Sequence, residues 1–337
     1  MRKGLGLLSV GLVVGITAGC GGGSGAQGTQ GAQQPELTKL TVGAVPVADD
    51  AGLYIAQDTG LFKAAGLDVT IAPIVSSAVA TAGQNSGKYD ITAGNSVSYV
   101  QDQVSHRSDL EIVAEGSLMN PGNQALYTLP NSPITTVSDM AGKRIGVNVL
   151  NNIGTLLISS VLESHNVSLR SVHFVAIQDG FPGMAQALKQ HAIDVAWLPE
   201  PFGSIDGVGL GLHQLTDLDQ GSTASFPISW YVVTKTWAKK YPRTLAAFLG
   251  ALRQGQEVAD TNRSVVEQTM EKLPKPYTVP PLIASIMTVE SYPLNVAPGI
   301  DPTTVQRVAD TMYALGMLTT PFKVRTMLTP LCPWWRS

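Results

Sequence analysis

Asp49 and Asp50 are adjacent carboxylates at the start of a predicted helix. Two such groups accept hydrogen bonds from an amine or from the N–H groups of a heterocycle, and they repel a free anion. Aspartate is also a common N-cap, because its side chain accepts a backbone N–H in the first turn of a helix. Asp49 and Asp50 are therefore candidates either for ligand contact or for capping on an exposed surface.

Small polar residues follow three further predicted strands. The segment 151–155 (NNIGT) opens a helix, where unpaired backbone N–H groups and the helix dipole suit an anionic group and a glycine allows close approach. Simple helix capping is the alternative at each of these positions. The candidates for ligand contact in this class are Ser76, Ser77, Asn95, Ser96, Asn148, Asn152, Gly154 and Thr155.

Four other residues complete the candidate set. Pro46 begins the loop that leads to Asp49, and Glu200 lies between two prolines after a strand. Glu200 could accept hydrogen bonds from a ligand or fix a hinge through a salt bridge. Trp197 and Trp230 lie near strand ends, where an aromatic face would stack on a flat ligand, and core packing is their alternative role.

These candidates depend on a sheet that brings strand ends together. The sequence contains two units in which strand-like and helix-like segments alternate. An irregular glycine-rich stretch is predicted at 203–226, and only helices are predicted from residue 237 onward. The apolar strands predict parallel sheets covered on both faces, and ligands bind at the carboxyl ends of strands in such sheets. The predicted strands are 40–44, 68–74, 89–93, 111–115, 124–129, 143–148, 172–177, 193–198 and 230–234.

The N-terminal segment predicts the compartment. Arg2 and Lys3 precede an apolar run of 13 residues that ends before Thr17-Ala18-Gly19-Cys20. This pattern is typical of a secretory signal, and the cysteine after Ala-Gly resembles the lipobox of a bacterial lipoprotein. The alternatives are an ordinary secretory signal and an uncleaved membrane anchor, although a spanning helix needs about 20 residues. The segment 21–35 contains no charge and no large apolar side chain, which is typical of a flexible tether.

Composition excludes several classes of function. The net charge is −3 and only 14% of the residues are charged, so there is no basic footprint for nucleic acid. The five histidines are scattered, and the two cysteines, Cys20 and Cys332, are far apart in sequence. We therefore expect neither a metal centre nor a cofactor, and no intramolecular disulfide.

Five segments in order carry a family resemblance. They are 52–69 (GLYIAQDTGLFKAAGLDV), 89–96 (YDITAGNS), 137–147 (VSDMAGKRIGV), 185–195 (AQALKQHAIDV) and 197–201 (WLPEP). Together they resemble the substrate-binding proteins of ABC importers for sulfonates, taurine, nitrate and thiamine pyrimidine precursors.

The resemblance implies an α/β fold of the periplasmic binding protein type (class II-like), with two lobes, a two-strand hinge and a ligand cleft between the lobes. The chain would cross between lobes near residues 125–128 and 229–232. The expected organisation is a signal peptide (1–19), a linker (20–37), lobe one (38–125 plus 233–325), lobe two (126–232) and a C-terminal tail (326–337). The sequence does not assign a role to the tail, which contains Cys332 and Trp335.

The resemblance also implies a function and its partners. We expect a monomeric lipoprotein on the extracytoplasmic face of the cell membrane that binds a small organic ligand and delivers it to ABC permease and ATPase subunits. The ligand could be a sulfonate or taurine, nitrate, or a pyrimidine-like heterocycle. A binding module that senses rather than imports is a second possibility. An enzyme on the same fold is a third, although no Ser-His-Asp arrangement or GxSxG motif supports it.

Overall fold

The computed structural model describes residues 34–329. The predicted signal peptide, Cys20, the linker up to residue 33 and the tail from residue 330 lie outside these residues. Among residues 34–329, no helix combines the length and the apolar character that a membrane crossing requires.

The described chain contains two five-stranded sheets, each the centre of one lobe. The first sheet has the order β2-β1-β3-β10-β4 and the second has the order β7-β6-β8-β5-β9. The two-lobed α/β architecture that the sequence predicts is confirmed. The strands are β1 Lys39–Ala44, β2 Asp68–Pro73, β3 Ile91–Asn95, β4 Leu110–Leu118, β5 Gln124–Thr128, β6 Arg144–Val147, β7 His173–Ala176, β8 Val195–Pro199, β9 His213–Asp217 and β10 Pro227–Thr234.

Each sheet contains one strand that runs against its neighbours. β10 is antiparallel to β3 and β4, and β5 is antiparallel to β8 and β9. The expectation of purely parallel sheets is therefore wrong. The reason is geometric: both strands follow a crossing between lobes, so each enters its sheet from the edge that faces the other lobe. Their amino ends consequently lie beside the carboxyl ends of the neighbouring strands.

The chain crosses between the sheets at residues 119–123 and 218–226. The segments expected to cross, 125–128 and 229–232, instead lie inside β5 and β10. Pairing of Ser229 with Asn95 and of Gln124 with Pro199 extends both strands up to the cleft edge. The crossings are therefore short connections that precede the strands, and β10 belongs entirely to the first sheet.

Helices cover both sheets. Several begin at side chains that cap them, as Ser76, Asn95 and Asn152 do for α3, α4 and α5. The helices are α1 Ala51–Asp58, α2 Leu61–Ala64, α3 Ser77–Asn85, α4 Ser96–Val104, α5 Ile153–Ser164, α6 Met184–Lys189, α7 Phe202–Leu210, α8 Lys235–Lys240, α9 Pro242–Thr261, α10 Arg263–Met270, α11 Pro281–Ile286 and α12 Pro302–Ala314.

The helical segment after β10 packs back on the first lobe, as the sequence predicts. α9 and α10 contact α1, and isolated bridges join Ser291 to Leu118 and Val296 to Ala114 on β4. This return covers the outer edge of β4, which would otherwise present unpaired backbone groups.

The glycine-rich stretch is not irregular throughout, because it contains α7 and β9. Three glycines lower the intrinsic helix propensity of α7, and tertiary packing overrides that preference. Gly203 lies against Tyr127 so closely that an added Cβ would come within 2.5 Å of the tyrosine hydroxyl. A residue that looks like a helix breaker in the sequence is here the residue that lets α7 approach β5.

Candidate functional site

A cleft lies where the facing edges of the two sheets meet. Its volume is about 460 Å³, including the part open to solvent. Both lobes contribute to its walls, and the backbone N–H of Ala48 reaches across to the carbonyl oxygen of Glu200 at 3.5 Å. The lining residues are Val45, Val47, Asp49, Asp50, Ser76, Ser77, Gly94, Asn95, Gln124, Asn148, Asn152, Ile153, Phe181, Trp197, Pro199, Ile228 and Ser229.

The structure brings most of the sequence candidates to this cleft. Eight of them line it, namely Asp49, Asp50, Ser76, Ser77, Asn95, Asn148, Asn152 and Trp197. Six do not, namely Pro46, Ser96, Gly154, Thr155, Glu200 and Trp230.

Asp49 and Asp50 lie in a short 3-10 turn, Ala48–Asp50, directly before α1. The Ser117 hydroxyl donates to Oδ1 of Asp49 at 3.1 Å, and the Ser229 hydroxyl donates to Oδ1 of Asp50 at 2.8 Å. Burial raises the pKa of the Asp49 carboxyl to about 6. Burial and the neighbouring charge of Asp49 raise the pKa of Asp50 to about 8. At neutral pH the pair therefore carries less than its full negative charge.

The interpretation of this pair as exposed helix caps is wrong. Asp49 is 6% exposed and Asp50 is 1% exposed. Asp50 occupies the N-cap position of α1, but its side chain accepts no capping hydrogen bond. Its carboxylate instead accepts the hydroxyl of Ser229, which lies near the start of β10 at the edge of the cleft.

A third buried carboxyl group adjoins the pair from the C-terminal segment. Glu290 accepts hydrogen bonds from Asn123 Nδ2 at 2.9 Å and from the Tyr292 hydroxyl at 3.1 Å. Burial and the charge of Asp49 raise its pKa well above its usual value. Because Asn123 lies in the first connection between the lobes, the carboxyl cluster is joined directly to the segment around which the lobes would move.

Amide and hydroxyl groups form the next part of the wall. The side chains of Ser76, Asn95 and Asn152 each accept the N–H of the third residue of the helix that they cap. Ser77 accepts two hydrogen bonds from Asn95, one from the backbone and one from the side chain, both at 2.9 Å. Capping and cleft lining thus occur together, so the two alternatives raised by the sequence do not exclude each other.

An aromatic wall faces these groups from the second lobe. The Phe181 ring meets the edge of Trp197 with centroids 5.2 Å apart, and Phe202 packs behind Phe181 at 5.5 Å. The Trp197 indole N–H donates to Oε1 of Gln124 at 3.1 Å, which fixes the ring. Trp230, the other candidate aromatic residue, is fully buried in the core of the first lobe and does not line the cleft.

The candidates outside the cleft have structural roles or lie behind its wall. Ser96 donates to the carbonyl oxygen of Pro227, and Glu200 accepts two hydrogen bonds from Ser204, while burial raises its pKa. Thr155 and Pro46 are buried, and neither lines the cleft. Gly154 lies beneath Trp197, so the close approach that this glycine permits is that of an indole ring and not that of an anion.

Sequence reasoning missed the contribution of the antiparallel strands. Gln124 begins β5, and Ile228 and Ser229 lie at the start of β10, and all three line the cleft. The rule that selects carboxyl ends of strands cannot find residues at amino ends. The signal available in the sequence was that each predicted crossing between lobes, 125–128 and 229–232, falls on one of these two strands.

The family of the chain follows from a family model described as NMT1/THI5 like, which matches residues 48–262. That match covers more than half of the sequence. The chain belongs to the NMT1/THI5-like family. A search among curated protein sequences finds no match to this chain.

Solved structures similar to this NMT1/THI5-like chain share its fold at low sequence identity. The alkanesulfonate-binding protein SsuA from Xanthomonas axonopodis pv. citri, bound to MOPS, is 17% identical with a TM-score of 0.72, covering 88% of this chain and 99% of SsuA. The periplasmic nitrate-binding protein NrtA from Synechocystis PCC 6803 is 16% identical with a TM-score of 0.70, covering 88% of this chain and 85% of NrtA. The fold is therefore that of the periplasmic binding proteins.

An enzyme also shares this fold. The desulfurization enzyme DSZB is 16% identical with a TM-score of 0.64, and the alignment covers 88% of this chain and 97% of DSZB. The fold alone does not distinguish a binding protein from an enzyme, so the distinction depends on the residues of the cleft.

Proposed function

We propose that this protein is the extracytoplasmic solute receptor of an ABC importer and that it captures a small organic ligand by closing its two lobes. The observation that carries the proposal is a buried polar cleft between two lobes, in a chain of the NMT1/THI5-like family. The lobes are joined by the connections 119–123 and 218–226, and two short connections suit a hinge. The edges of the two lobes that face each other across the cleft both carry hydrogen-bonding groups.

The composition of the cleft supports capture rather than catalysis. Pockets for small molecules combine apolar and aromatic walls with a few oriented polar groups, and this cleft has Trp197 and Phe181 opposite carboxyl, hydroxyl and amide side chains. The described residues that line it include no cysteine and no histidine. Ser229 donates its hydroxyl hydrogen bond to Asp50, and no histidine among these described residues is available for a Ser–His pair.

The candidate ligands are a sulfonate or taurine, nitrate, and a pyrimidine-like heterocycle. SsuA and NrtA, by their names, bind an alkanesulfonate and nitrate. The carboxyl pair of this chain favours a ligand with N–H donors over a simple anion. The aromatic wall favours a ligand with a flat or apolar part.

A thermal-shift panel tests the receptor function. The purified full-length chain is heated with alkanesulfonates, taurine, nitrate, pyrimidines and small aromatic acids in turn. A ligand at 100 times its dissociation constant stabilises the folded state by about 2.7 kcal/mol, which corresponds to a rise of about 5 °C in the melting temperature. A rise with one chemical class supports the proposal, and unchanged melting with all of them from well-folded protein contradicts it.

The partners in this proposal are a permease and an ATPase, with a lipid tether at Cys20 that keeps the monomeric receptor near them on the outer face of the cell membrane. Support for the tether comes from the sequence before Cys20 and from the uncharged segment 21–35.

Substituting Cys20 tests the tether. We expect Cys20→Ala to remove the lipid and to leave the signal segment uncleaved, because the thiol is the proposed acceptor. Mass spectrometry of the membrane-associated protein compares this variant with wild type, and Cys332→Ala serves as the matched cysteine control. Equal lipid mass on wild type and Cys20→Ala would refute the assignment.

A further inference from the structure

Asp50 has an unusual combination of burial and exposure to the cleft. Its side chain is 1% exposed, yet the residue lines the cavity. Oδ1 accepts the Ser229 hydroxyl at 2.8 Å, and no described residue donates to Oδ2. Because Oδ2 has no donor from the described protein and the residue lines the cleft, it is the atom of Asp50 that a ligand donor can reach. The cleft therefore contains an acceptor that the surrounding residues do not satisfy.

No positive charge from the described lining residues compensates this group. Among the described residues that line the cleft there is no lysine, arginine or histidine. The ionisable groups whose charges interact with Asp50 include Asp49, of the same sign, and the hydroxyls of Tyr54, Tyr99 and Tyr231, whose pKa values are raised by burial and by the charge of Asp50. Those phenols stay neutral. When no cationic group faces Asp50, its carboxyl group binds a proton and so avoids an uncompensated buried charge.

We propose that the solute carries a protonated nitrogen, as in an amine or an amidine, and that this cationic group binds Asp50 beside Asp49 while the rest of the solute packs against Trp197 and Phe181. This inference rests on the proposed receptor function and specifies the charge of its cargo. On binding, the carboxyl proton leaves to solvent, and the ligand N–H groups take its place as donors to the carboxylate.

The aromatic wall fits such a solute. Trp197 and Phe181 lie in the second lobe, whereas Asp50 lies in the first. A solute with a charged end and an apolar body would contact both lobes and hold them together. The Trp197 indole is already fixed by its bond to Gln124, so its ring is ordered before the ligand arrives.

A simple anion fits the same cleft less well. The N-terminal ends of α3, α4 and α5 reach the cleft, but Ser76, Asn95 and Asn152 already occupy one amide of each. An anion that approaches this pair meets the like charge of Asp49 in a poorly hydrated site, where repulsion is weakly screened. An acceptor group at the opposite end of a cationic solute can still face those helix ends.

Three matched probes test the charge of the cargo. Benzylamine, benzyl alcohol and phenylmethanesulfonate share a benzyl body and differ in carrying a positive, a zero or a negative charge. With the purified full-length chain at pH 7, we expect benzylamine at ten times its dissociation constant to raise the melting temperature by about 3 °C. We expect no rise with the alcohol or the sulfonate at the same concentration.

The variant Asp50→Asn provides the second arm. It keeps the shape of the side chain and an acceptor for Ser229 but removes the negative charge, so the rise with benzylamine should disappear. Asp68→Asn, at an exposed position at the start of β2, is the control and should respond as wild type does.

Each contrary outcome has its own meaning. A rise with phenylmethanesulfonate, or a benzylamine response that survives in Asp50→Asn, overturns the charge assignment but leaves a binding cleft. No response to any of the three probes also overturns the charge assignment. The receptor function is then decided separately by the wider ligand panel, which includes anions and neutral heterocycles.

Discussion

Replacing Asp50 with asparagine is expected to stabilise the protein by about 4 kcal/mol more at pH 8 than at pH 5. The folded pKa of Asp50, about 8, lies far above the ordinary value of an aspartate. Between these two values the folded state holds a proton that the unfolded state has lost. Stability from this group is therefore complete at low pH and falls by about 1.4 kcal/mol per pH unit until the pH passes the folded pKa.

Other carboxyl groups modify the slope without removing this contribution. Asp49, with a pKa raised to about 6, adds to the decline at lower pH, and Glu290 adds to it in the same direction. Asparagine at position 50 does not titrate, so the folded and unfolded states then differ by one bound proton fewer. The free energy of unfolding therefore depends less steeply on pH. The rise in melting temperature that asparagine causes should be about 8 °C larger at pH 8 than at pH 5.

Urea unfolding at a series of pH values, followed by tryptophan fluorescence, measures this effect. The wild-type and Asp50→Asn free energies of unfolding should diverge steadily from pH 5 to pH 8, by about 4 kcal/mol over this range. Asp68→Asn should follow the wild-type curve. Parallel curves for wild type and Asp50→Asn would show that Asp50 is ionised in the folded protein throughout this range.

The burial of the carboxyl pair could not be read from the sequence. Asp49 and Asp50 are surrounded by residues that are distant in the chain, such as Ser117 and Ser229, which are 68 and 179 residues away from their respective partners. Local pattern predicts only that two aspartates precede a helix, and that pattern is typical of exposed caps. Whether the two aspartates are exposed helix caps or buried cleft residues depends on the tertiary contacts around them.

The position of the cleft, by contrast, follows from a topological rule. Alternating strands and helices place strand ends at one edge, and this rule located Ser76, Asn95 and Asn148 at the cleft without any structural information. It failed where the chain direction reverses after each crossing. Ser229 and Gln124 lie at strand starts, and they are also the partners that hold Asp50 and Trp197.

Gly154 shows a different limit of the same reasoning. Its place in the first turn of a helix at the cleft predicts a backbone that approaches a ligand. The space above it is filled instead by Trp197, which comes from a strand 43 residues later in the sequence. A glycine that permits close approach does not identify what approaches.

Replacing Gly154 with alanine is therefore expected to destabilise the protein by about 3 kcal/mol. A Cβ at this position would lie 2.2 Å from Cε3 and 2.4 Å from Cζ3 of Trp197. The indole cannot turn away without cost, because it is 2% exposed, packs against Phe181 and donates to Gln124. Either the ring or the first turn of α5 must shift, and both form the wall of the cleft.

Gly250→Ala is the matched control for this substitution. Gly250 lies within α9 at an exposed position, and an added Cβ there would meet no atom within 4 Å. Alanine should stabilise α9 by about 0.5–1 kcal/mol, since glycine is a poor residue for a helix interior. The two substitutions add the same methyl group, so urea unfolding should separate the variants by about 4 kcal/mol. Similar stability of both variants would mean that Trp197 moves freely, and a mobile indole could not provide the ordered wall that the proposed ligand requires.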